Sequence, residues 1–241
     1  MLERENVDPN RPDKEGYGPL GWAAIKGHEG VVKLLLERGD VDPNLPNQDI
    51  QTPLGSATYE GHEGVVKLLL ERENVDPNRP DKDGYGPLGW ASIKGHEGVV
   101  KLLLERGDVD PNHPDQNTRT PLGSAAYEGH EGVVKLSLER ENVDPNRPDK
   151  DGYGPLGYAA FVGHEGVIKL LLQRGDTDPS RPDTNGLTPL ATAASESHEG
   201  VVKLLLEWED VHPNRPNEYS RAPLTNATLR GEEGPARLSL E

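Results

Sequence analysis

Six of the eight histidines fall in one register, at His28, His62, His96, His130, His164 and His198, and each is followed by Glu. A recurring His-Glu pair raises metal chemistry first. A zinc site, however, needs its donors about 2 Å from a single ion. Residues recurring every 34 positions on stacked helices stand roughly 8–10 Å apart, and the wording is not the His-Glu-x-x-His of a one-face metal motif. No metal site is expected, and these histidines are assigned to tying down a turn between helices. Arg38-Gly39-Asp40, Arg106-Gly107-Asp108 and Arg174-Gly175-Asp176 spell an adhesion-type tripeptide. In each, the glycine stands where a helix end takes a left-handed cap residue, so a structural role is expected. Asn226-Ala227-Thr228 is a lone glycosylation sequon without a visible secretory leader. Cysteine is absent, which removes thiolate chemistry and disulfides. There is no phosphate-binding glycine loop ending in Lys-Ser or Lys-Thr, and no nucleophile elbow. Carboxylate pairs abound, but they recur with the repeat, whereas an active site is singular. The chain is not expected to be an enzyme or to carry a cofactor.

The elements behind these columns follow from one period. Pro-Leu begins at Pro19, Pro53, Pro87, Pro121, Pro155, Pro189 and Pro223, always 34 residues apart in a chain of 241. The units run about 10–43, 44–77, 78–111, 112–145, 146–179, 180–213 and 214–241, as one array, with 1–9 as the tail of a preceding unit. In each, Pro sits at the first helical position behind a capping Gly18 or, elsewhere, Thr52, Thr120 and Thr188. A short helix runs to Gly27, and a second covers Gly30–Arg38 with Val and Leu on more than one face. Gly39 or Asn74 is expected to end it, and Val41-Asp42-Pro43-Asn44-Leu45-Pro46 reads as a turn-rich connection. Fourteen helices in seven antiparallel pairs are expected, with Leu34, Leu35 and their equivalents inaccessible. One unit has too little core to fold alone and must stack on its neighbours. Composition alone, 32% hydrophobic and 28% charged with 28 Gly and 22 Pro, leans towards disorder, but apolar residues in fixed columns overrule that. A formal charge of −16 excludes the cationic surplus of a nucleic-acid binder, and no apolar run approaches the roughly 20 residues of a membrane span.

Thr52-Pro53-Leu54, Ala23-Ala24, Gly27-His28, Val31-Val32 and Leu34-Leu35-Leu36 resemble the ankyrin repeat in order and spacing. A 34-residue period also suits tetratricopeptide repeats, whose late-helix Pro and Trp/Tyr spacing are missing here. The resemblance implies an all-α ankyrin-repeat solenoid of helix-turn-helix units with extended, hairpin-like loops. Two departures are visible. The family's His after Thr-Pro-Leu is Gly21, Gly55, Gly89, Gly123, Gly157, Ala191 or Thr225. The loop also has one extra residue and two Pro, so its hairpin is expected to pair poorly. The wording His-Glu-Gly-Val-Val-Lys-Leu-Leu-Leu-Glu-Arg is similar to arrays in fungal signalling ATPases of the innate-receptor type, which implies a ligand-sensing role in a larger protein. Trp22, Trp90 and Tyr158 alternate with Ser56 and Ser124 in a column the family buries, and large facing small implies an interdigitated core.

Unit 10–43 differs from unit 78–111 at two positions and from unit 44–77 at thirteen, so a 68-residue pair has been duplicated. Variation concentrates in the columns of Lys14, Glu15 and Tyr17 at the loop tip and of Ile25 and Lys26 in the first helix. The first reads Tyr17, Gln51, Tyr85, Arg119, Tyr153; the second Ile25, Tyr59, Ile93, Tyr127, Phe161. Beside them Lys26, Glu60, Lys94 and Glu128 alternate in sign, close enough for neighbouring charges to pair across the stack. Of three Trp, seven Tyr and one Phe, six rings lie in these two columns, and exposed aromatics and Arg are what binding hot spots are made of. In ankyrin proteins the matching columns line a concave, partner-binding face. These fourteen residues are therefore the candidate protein- or peptide-binding surface, on a monomer expected in the cytoplasm. A spacer array without a ligand, or a designed consensus protein, remains the alternative. The array begins and ends inside its own period, which reads as a piece of a longer one.

Overall fold

A computed structural model describes residues 7–230 and 234. Its described residues form thirteen helices and no strand, and the backbone divides into two compact units, Met1–Gln116 and Asn117–Glu241. The first unit holds α1 (Pro19–Ile25), α2 (Glu29–Leu36), α3 (Pro53–Glu60), α4 (Glu63–Leu70), α5 (Pro87–Lys94) and α6 (Glu97–Leu104). The second holds α7 (Pro121–Glu128), α8 (Glu131–Leu138), α9 (Pro155–Val162), α10 (Glu165–Gln173), α11 (Pro189–Ser195), α12 (Glu199–Leu206) and α13 (Pro223–Arg230). The expected fourteenth helix and the tail of a preceding unit at residues 1–6 lie outside the described residues.

Each helix start follows from its own residues. Pro occupies the first turn, where a missing N–H costs nothing. Thr52 Oγ1 accepts from the Gly55 N–H at 3.1 Å, Thr120 from Gly123 at 3.1 Å and Thr188 from Ala191 at 3.3 Å. Gly18, Gly86 and Gly154 cap the alternating helices with no side-chain bond. Within each unit the first helices pack on one another in one layer and the second helices in another, and the two helices of a repeat pack together. The core lies between the layers, with Leu54, Ala57, Val65, Val66 and Leu69 in the first unit and Ala159, Val167, Ile168 and Leu171 in the second all at 0% exposure. The Leu35 column meets expectation from the second repeat on, where Leu69, Leu103, Ser137, Leu171 and Leu205 are buried, while Leu35 itself is half-buried. The Leu34 column does not. Leu34 is 66% exposed and its equivalents are only half-buried, because they face the neighbouring second helix rather than the core, as Leu68 does beside Leu36.

Side chains reaching back to the preceding repeat hold the stack. His62 Nε2 donates to the Ile25 carbonyl at 2.9 Å, and His96, His164 and His198 do the same to Tyr59, Tyr127 and Phe161 at 3.0 Å. The histidine column thus fastens repeats to one another rather than only its own turn. Glycine is required beneath each ring: Gly27 and Gly61 have φ of +67° and +79°, and a Cβ at either would lie 2.7 Å from the imidazole. Arg72 and Arg106 donate to the Leu36 and Leu70 carbonyls at the ends of α2 and α4, where a cation also suits the helix dipole. An asparagine column closes each repeat on itself, first residue to last turn. Asn10, Asn78 and Asn146 each donate Nδ2 to a carbonyl (Asp40, Asp108, Asp176) at 2.6 Å and accept an N–H on Oδ1 (from Asp42, Asp110, Asp178) at 2.7–2.8 Å.

Gly39, Gly107 and Gly175 are not the left-handed caps expected of them. None has positive φ, and α2 and α6 end on right-handed Glu37 and Glu105. The chain simply continues in a tight turn in which Arg38 grips Asp40 with two bonds, at 2.9 and 2.7 Å. The same closed pairs form at Arg106–Asp108 and Arg174–Asp176. An arginine and aspartate that neutralise each other do not present an open adhesion tripeptide.

Candidate functional site

The loop tips are built on one carboxylate or amide per repeat. Asp81 Oδ1 accepts the Asp83 and Tyr85 N–H groups at 2.9 and 3.0 Å, while the Asp81 N–H donates to the Tyr85 carbonyl at 3.1 Å. Asp13, Asn47, Asp149 and Asp183 repeat the pattern. The tight turn needs a left-handed residue, supplied by Gly16, Gly84, Gly152 and Gly186 but in the other repeats by Ile50 and Thr118, both at φ +62°, and by Ser220 at φ +57°. A single backbone bond links each tip to the next: Gln48 N–H to Glu15, Lys82 N–H to Asp49 and Gln116 N–H to Asp83 in the first unit, Thr184 N–H to Asp151 and Glu218 N–H to Asn185 in the second. One backbone bond per neighbour, helped by side-chain bonds such as Gln48 Nε2 to the Lys14 carbonyl, makes a fringe of tips instead of a sheet, as the extra loop residue and prolines implied.

The same aspartates orient the aromatic column of the first helices. Trp22 Nε1 donates to Asp13 Oδ2 at 2.8 Å and Trp90 Nε1 to Asp81 Oδ2 at 2.7 Å, and the Tyr158 hydroxyl donates to Asp149. The indole bond is the chief reason that the Asp13 carboxyl stays below its ordinary range. Burial raises the Tyr158 hydroxyl well above the usual phenol range. This column was expected in the core, yet only Tyr158 (5% exposed) and Ser56 and Ser124 are buried. Trp22 is 36% exposed and Trp90 half-buried, whereas Arg119, Tyr127 and Tyr153 pack on Tyr158.

In the first unit these rings line a groove of about 410 Å³. The expected site residues Tyr17, Ile25, Gln51, Tyr59 and Glu60 all border it, together with Trp22, Trp90, Asp49, Asp81, Lys82 and Asp83, which sequence reasoning did not select. Tyr17 lies 4.9 Å from Trp22, Tyr59 meets Trp90 edge-on at 4.9 Å, and Tyr85 packs on Trp90 at 4.6 Å. Ile93 is half-buried nearby in sequence and does not line the groove. The charge column does not pair internally as expected: among the described residues no ion pair joins Lys26, Glu60 and Lys94. Lys26 instead lies over the Trp22 ring at 5.9 Å and Lys94 over Tyr59 at 4.4 Å. An aromatic face costs a lysine less ordering than an exposed carboxylate on an equally mobile stem. The ion pair that does form is Lys82–Asp49, at 2.7 Å between adjacent tips.

In the second unit Tyr127 and Tyr158 meet edge-on at 5.6 Å and Arg119 lies against both, its guanidinium 4.9 Å from Tyr127 and 4.3 Å from Tyr158, with Nε donating to the Tyr158 hydroxyl at 3.0 Å. Tyr153 stacks on Tyr158 at 5.4 Å and meets Phe161 at 6.1 Å. Burial and the Asp183 charge push the Tyr153 hydroxyl up to about 12. Glu128 is exposed beside them. A smaller groove of about 260 Å³ is bordered by Leu187, Ser195, Arg221 and Leu229, the later members of the same two columns, and by Tyr219. Among the described residues there is no cluster of three or more metal-capable side chains, and no helix is long and apolar enough to cross a membrane.

Comparison with known proteins matches this geometry. A family model described as ankyrin repeats (3 copies) matches residues 1–81, 22–115, 88–182, 125–217 and 156–234. The human ASB11 ankyrin repeat domain superposes with a TM-score of 0.81 at 26% identity, covering 93% of this chain and 97% of its own. The ankyrin repeat domain of Bcl-3, a member of the IkappaB family, gives 0.82 at 24% identity over 95% and 100%. No curated protein matches the sequence. Neither neighbour nor family model points to catalysis; the fold they share is a scaffold for protein–protein interaction. By the recurrence of that model along its length and by its stacked helix pairs, the chain belongs to the ankyrin-repeat family.

Proposed function

We propose that the face formed by loop tips and first helices recognises a protein or peptide partner. The seven repeats act in this reading as one monomeric array, the sensing part of a larger cytoplasmic receptor of the kind the repeat wording resembles. The observation that carries the reading is the first-unit groove, where Trp22, Tyr59 and Trp90 stay accessible while hydrogen bonds to Asp13 and Asp81 fix the two indoles. A ring that is already ordered loses little rotamer freedom on binding, which is what makes rigid aromatics effective anchors. The candidate contacts are Tyr17, Ile25, Lys26, Gln51, Tyr59, Glu60, Tyr85, Ile93 and Lys94, continued by Arg119, Tyr127, Glu128, Tyr153 and Phe161. A ligand-free spacer has no use for such a groove.

The test is selection of binders from a displayed library of random peptides. Selected peptides should lose about tenfold or more in affinity on Tyr59→Ala and be unaffected by Glu71→Ala, which lies beside the second helices. Binders indifferent to Tyr59→Ala would overturn the assignment of the face.

A further inference from the structure

The second unit displays what the aromatic slot of the first is shaped to hold. Gln51, Tyr59 and Trp90 occupy the same register as Arg119, Tyr127 and Tyr158, each displaced by the 68-residue super-period. In the second unit the two rings meet edge-on at 5.6 Å and the chain's own guanidinium lies against both, at 4.9 and 4.3 Å from the ring centres. In the first unit the corresponding residue is neutral Gln51, and the two rings meet at 4.9 Å on the border of an open groove. We propose that this groove takes an arginine side chain from a partner protein or peptide, which completes in trans the stack that Arg119 completes in cis. The inference rests on the recognition face proposed above and names the chemistry of its ligand.

Three observations support it. First, the groove is negative where it is not aromatic. Glu60 and Asp83 enter no ion pair among the described residues, and Glu15 meets only exposed Lys14 at 3.8 Å. The lysine on its rim, Lys82, is already neutralised by Asp49. Second, the rings already attract cations, since Lys26 and Lys94 settle over Trp22 and Tyr59 rather than against Glu60. Third, tryptophan is the strongest cation–π partner, and the first unit places Trp90 where the second has Tyr158. Arginine fits better than lysine because its planar guanidinium can stack on a ring and still donate to carboxylates at its edge. Glu60 and Asp83 provide such acceptors on the groove border. Lys94 stands over Tyr59 as a resident competitor, and its second-unit equivalent is the uncharged Val162.

The experiment measures binding of fluorescein-labelled hexa-arginine, hexa-lysine and hexa-citrulline peptides by fluorescence anisotropy at about 150 mM salt, where long-range charge attraction is screened. Hexa-arginine should bind the full chain at least about threefold more tightly than hexa-lysine, and the isosteric neutral hexa-citrulline should not compete. Gln51→Arg places the second unit's own solution in the slot and should weaken hexa-arginine at least about tenfold, while the charge-matched Glu71→Gln changes it less than about twofold. Lys94→Val should tighten binding a few-fold by removing the competitor. Should Gln51→Arg lose its helical circular dichroism, Tyr59→Leu and Glu60→Gln serve the same purpose, each expected to weaken the arginine peptide by about three- to tenfold. Equal binding of arginine and lysine peptides, equal loss on Gln51→Arg and Glu71→Gln, or no binding at all would overturn the inference. Failure here with library-selected peptides still dependent on Tyr59 would remove arginine as the ligand and leave the recognition face standing; selected peptides indifferent to Tyr59 would remove the face itself.

Discussion

Repeats 10–43, 78–111 and 146–179 solve the problem of joining loop to helix differently from repeats 44–77 and 112–145. In the first set an aromatic ring does the work: Trp22, Trp90 or Tyr158 reaches up from the helix to the loop aspartate, and the helix is capped only by Gly. In the second set the cap is a threonine hydroxyl, and the ring position is a buried serine, with Ser56 Oγ donating to Gln51 at 3.2 Å. The tips differ in step. The ring repeats place Gly16, Gly84 and Gly152 at the left-handed position, whereas the threonine repeats force β-branched Ile50 and Thr118 into it. Each repeat type is therefore strained or under-capped where the other is not. The 68-residue period is a period of junction chemistry.

The ring repeats should be the more sensitive to losing their pillar. Trp90→Ala removes contacts with Tyr59 and Tyr85 and the bond to Asp81, and is expected to cost about 2–3 kcal/mol in denaturant unfolding, below the cost of a fully buried tryptophan. A loss under about 1 kcal/mol would mean the ring serves binding alone. The tips should be asymmetric. Gly84→Ala puts a Cβ 2.7 Å from the Gln116 backbone nitrogen at φ +83°, and should cost more than the roughly 1–2 kcal/mol of left-handed strain. Ile50→Gly should instead gain about 0.5–1 kcal/mol by relieving φ +62°. If both changes destabilise, packing of Ile50 outweighs its strain. The caps come next: Thr120→Ala should cost about 1 kcal/mol, and Gly154→Thr should recover a few tenths, since a Cβ there meets nothing closer than the Asn146 carbonyl oxygen at 3.5 Å. No change in melting temperature for Thr120→Ala would transfer its role to Pro121.

The smallest effect concerns acid. The folded state depresses the Asp13 carboxyl, chiefly through the Trp22 bond, so its stabilisation is present above the ordinary carboxylate pKa of about 3.9 and lost as pH falls through the lower folded value. Trp22 fluorescence should shift in that window, before global unfolding. The threonine repeat 44–77, built on Asn47, has no counterpart to this titration. A Trp22 signal constant until the helices melt would detach the ring from Asp13.

The period, the helix pairs, the proline starts and the threonine caps were legible in the sequence because each depends on residues within one repeat. What misled depended on the neighbour. Leu34 and Leu35 are indistinguishable by hydropathy, and only the next second helix decides which is covered. The alternation in size places Trp22 and Tyr158 alike in the core, and both bond the aspartate nine residues earlier, but only Tyr158 has Arg119, Tyr127 and Tyr153 packed on it and is buried. Gly39 has the sequence position of a left-handed cap without the conformation, since its turn is closed by the Arg38–Asp40 pair. Of the expected contact residues, Tyr17, Ile25, Gln51, Tyr59 and Glu60 meet around one groove, because loop tip and first helix adjoin there, while Tyr85 and Ile93 do not line it. The asparagine column is not legible, as Asn beside Pro reads as a turn former whether or not it also ties together the two ends of its repeat.

The histidine, arginine and tip bonds all have their donor in the later repeat and their acceptor in the earlier one. During synthesis on the ribosome, a finished repeat therefore waits with open carbonyls rather than open N–H groups. An unsatisfied carbonyl is the better tolerated orphan and is readily hydrated until the following repeat emerges with the matching donors. Growth from the first repeat towards the last is thereby given a polarity, with each added repeat closing its predecessor. Stalled nascent chains should show protection of repeat 10–43 rising only once His62 and Arg72 have left the exit tunnel.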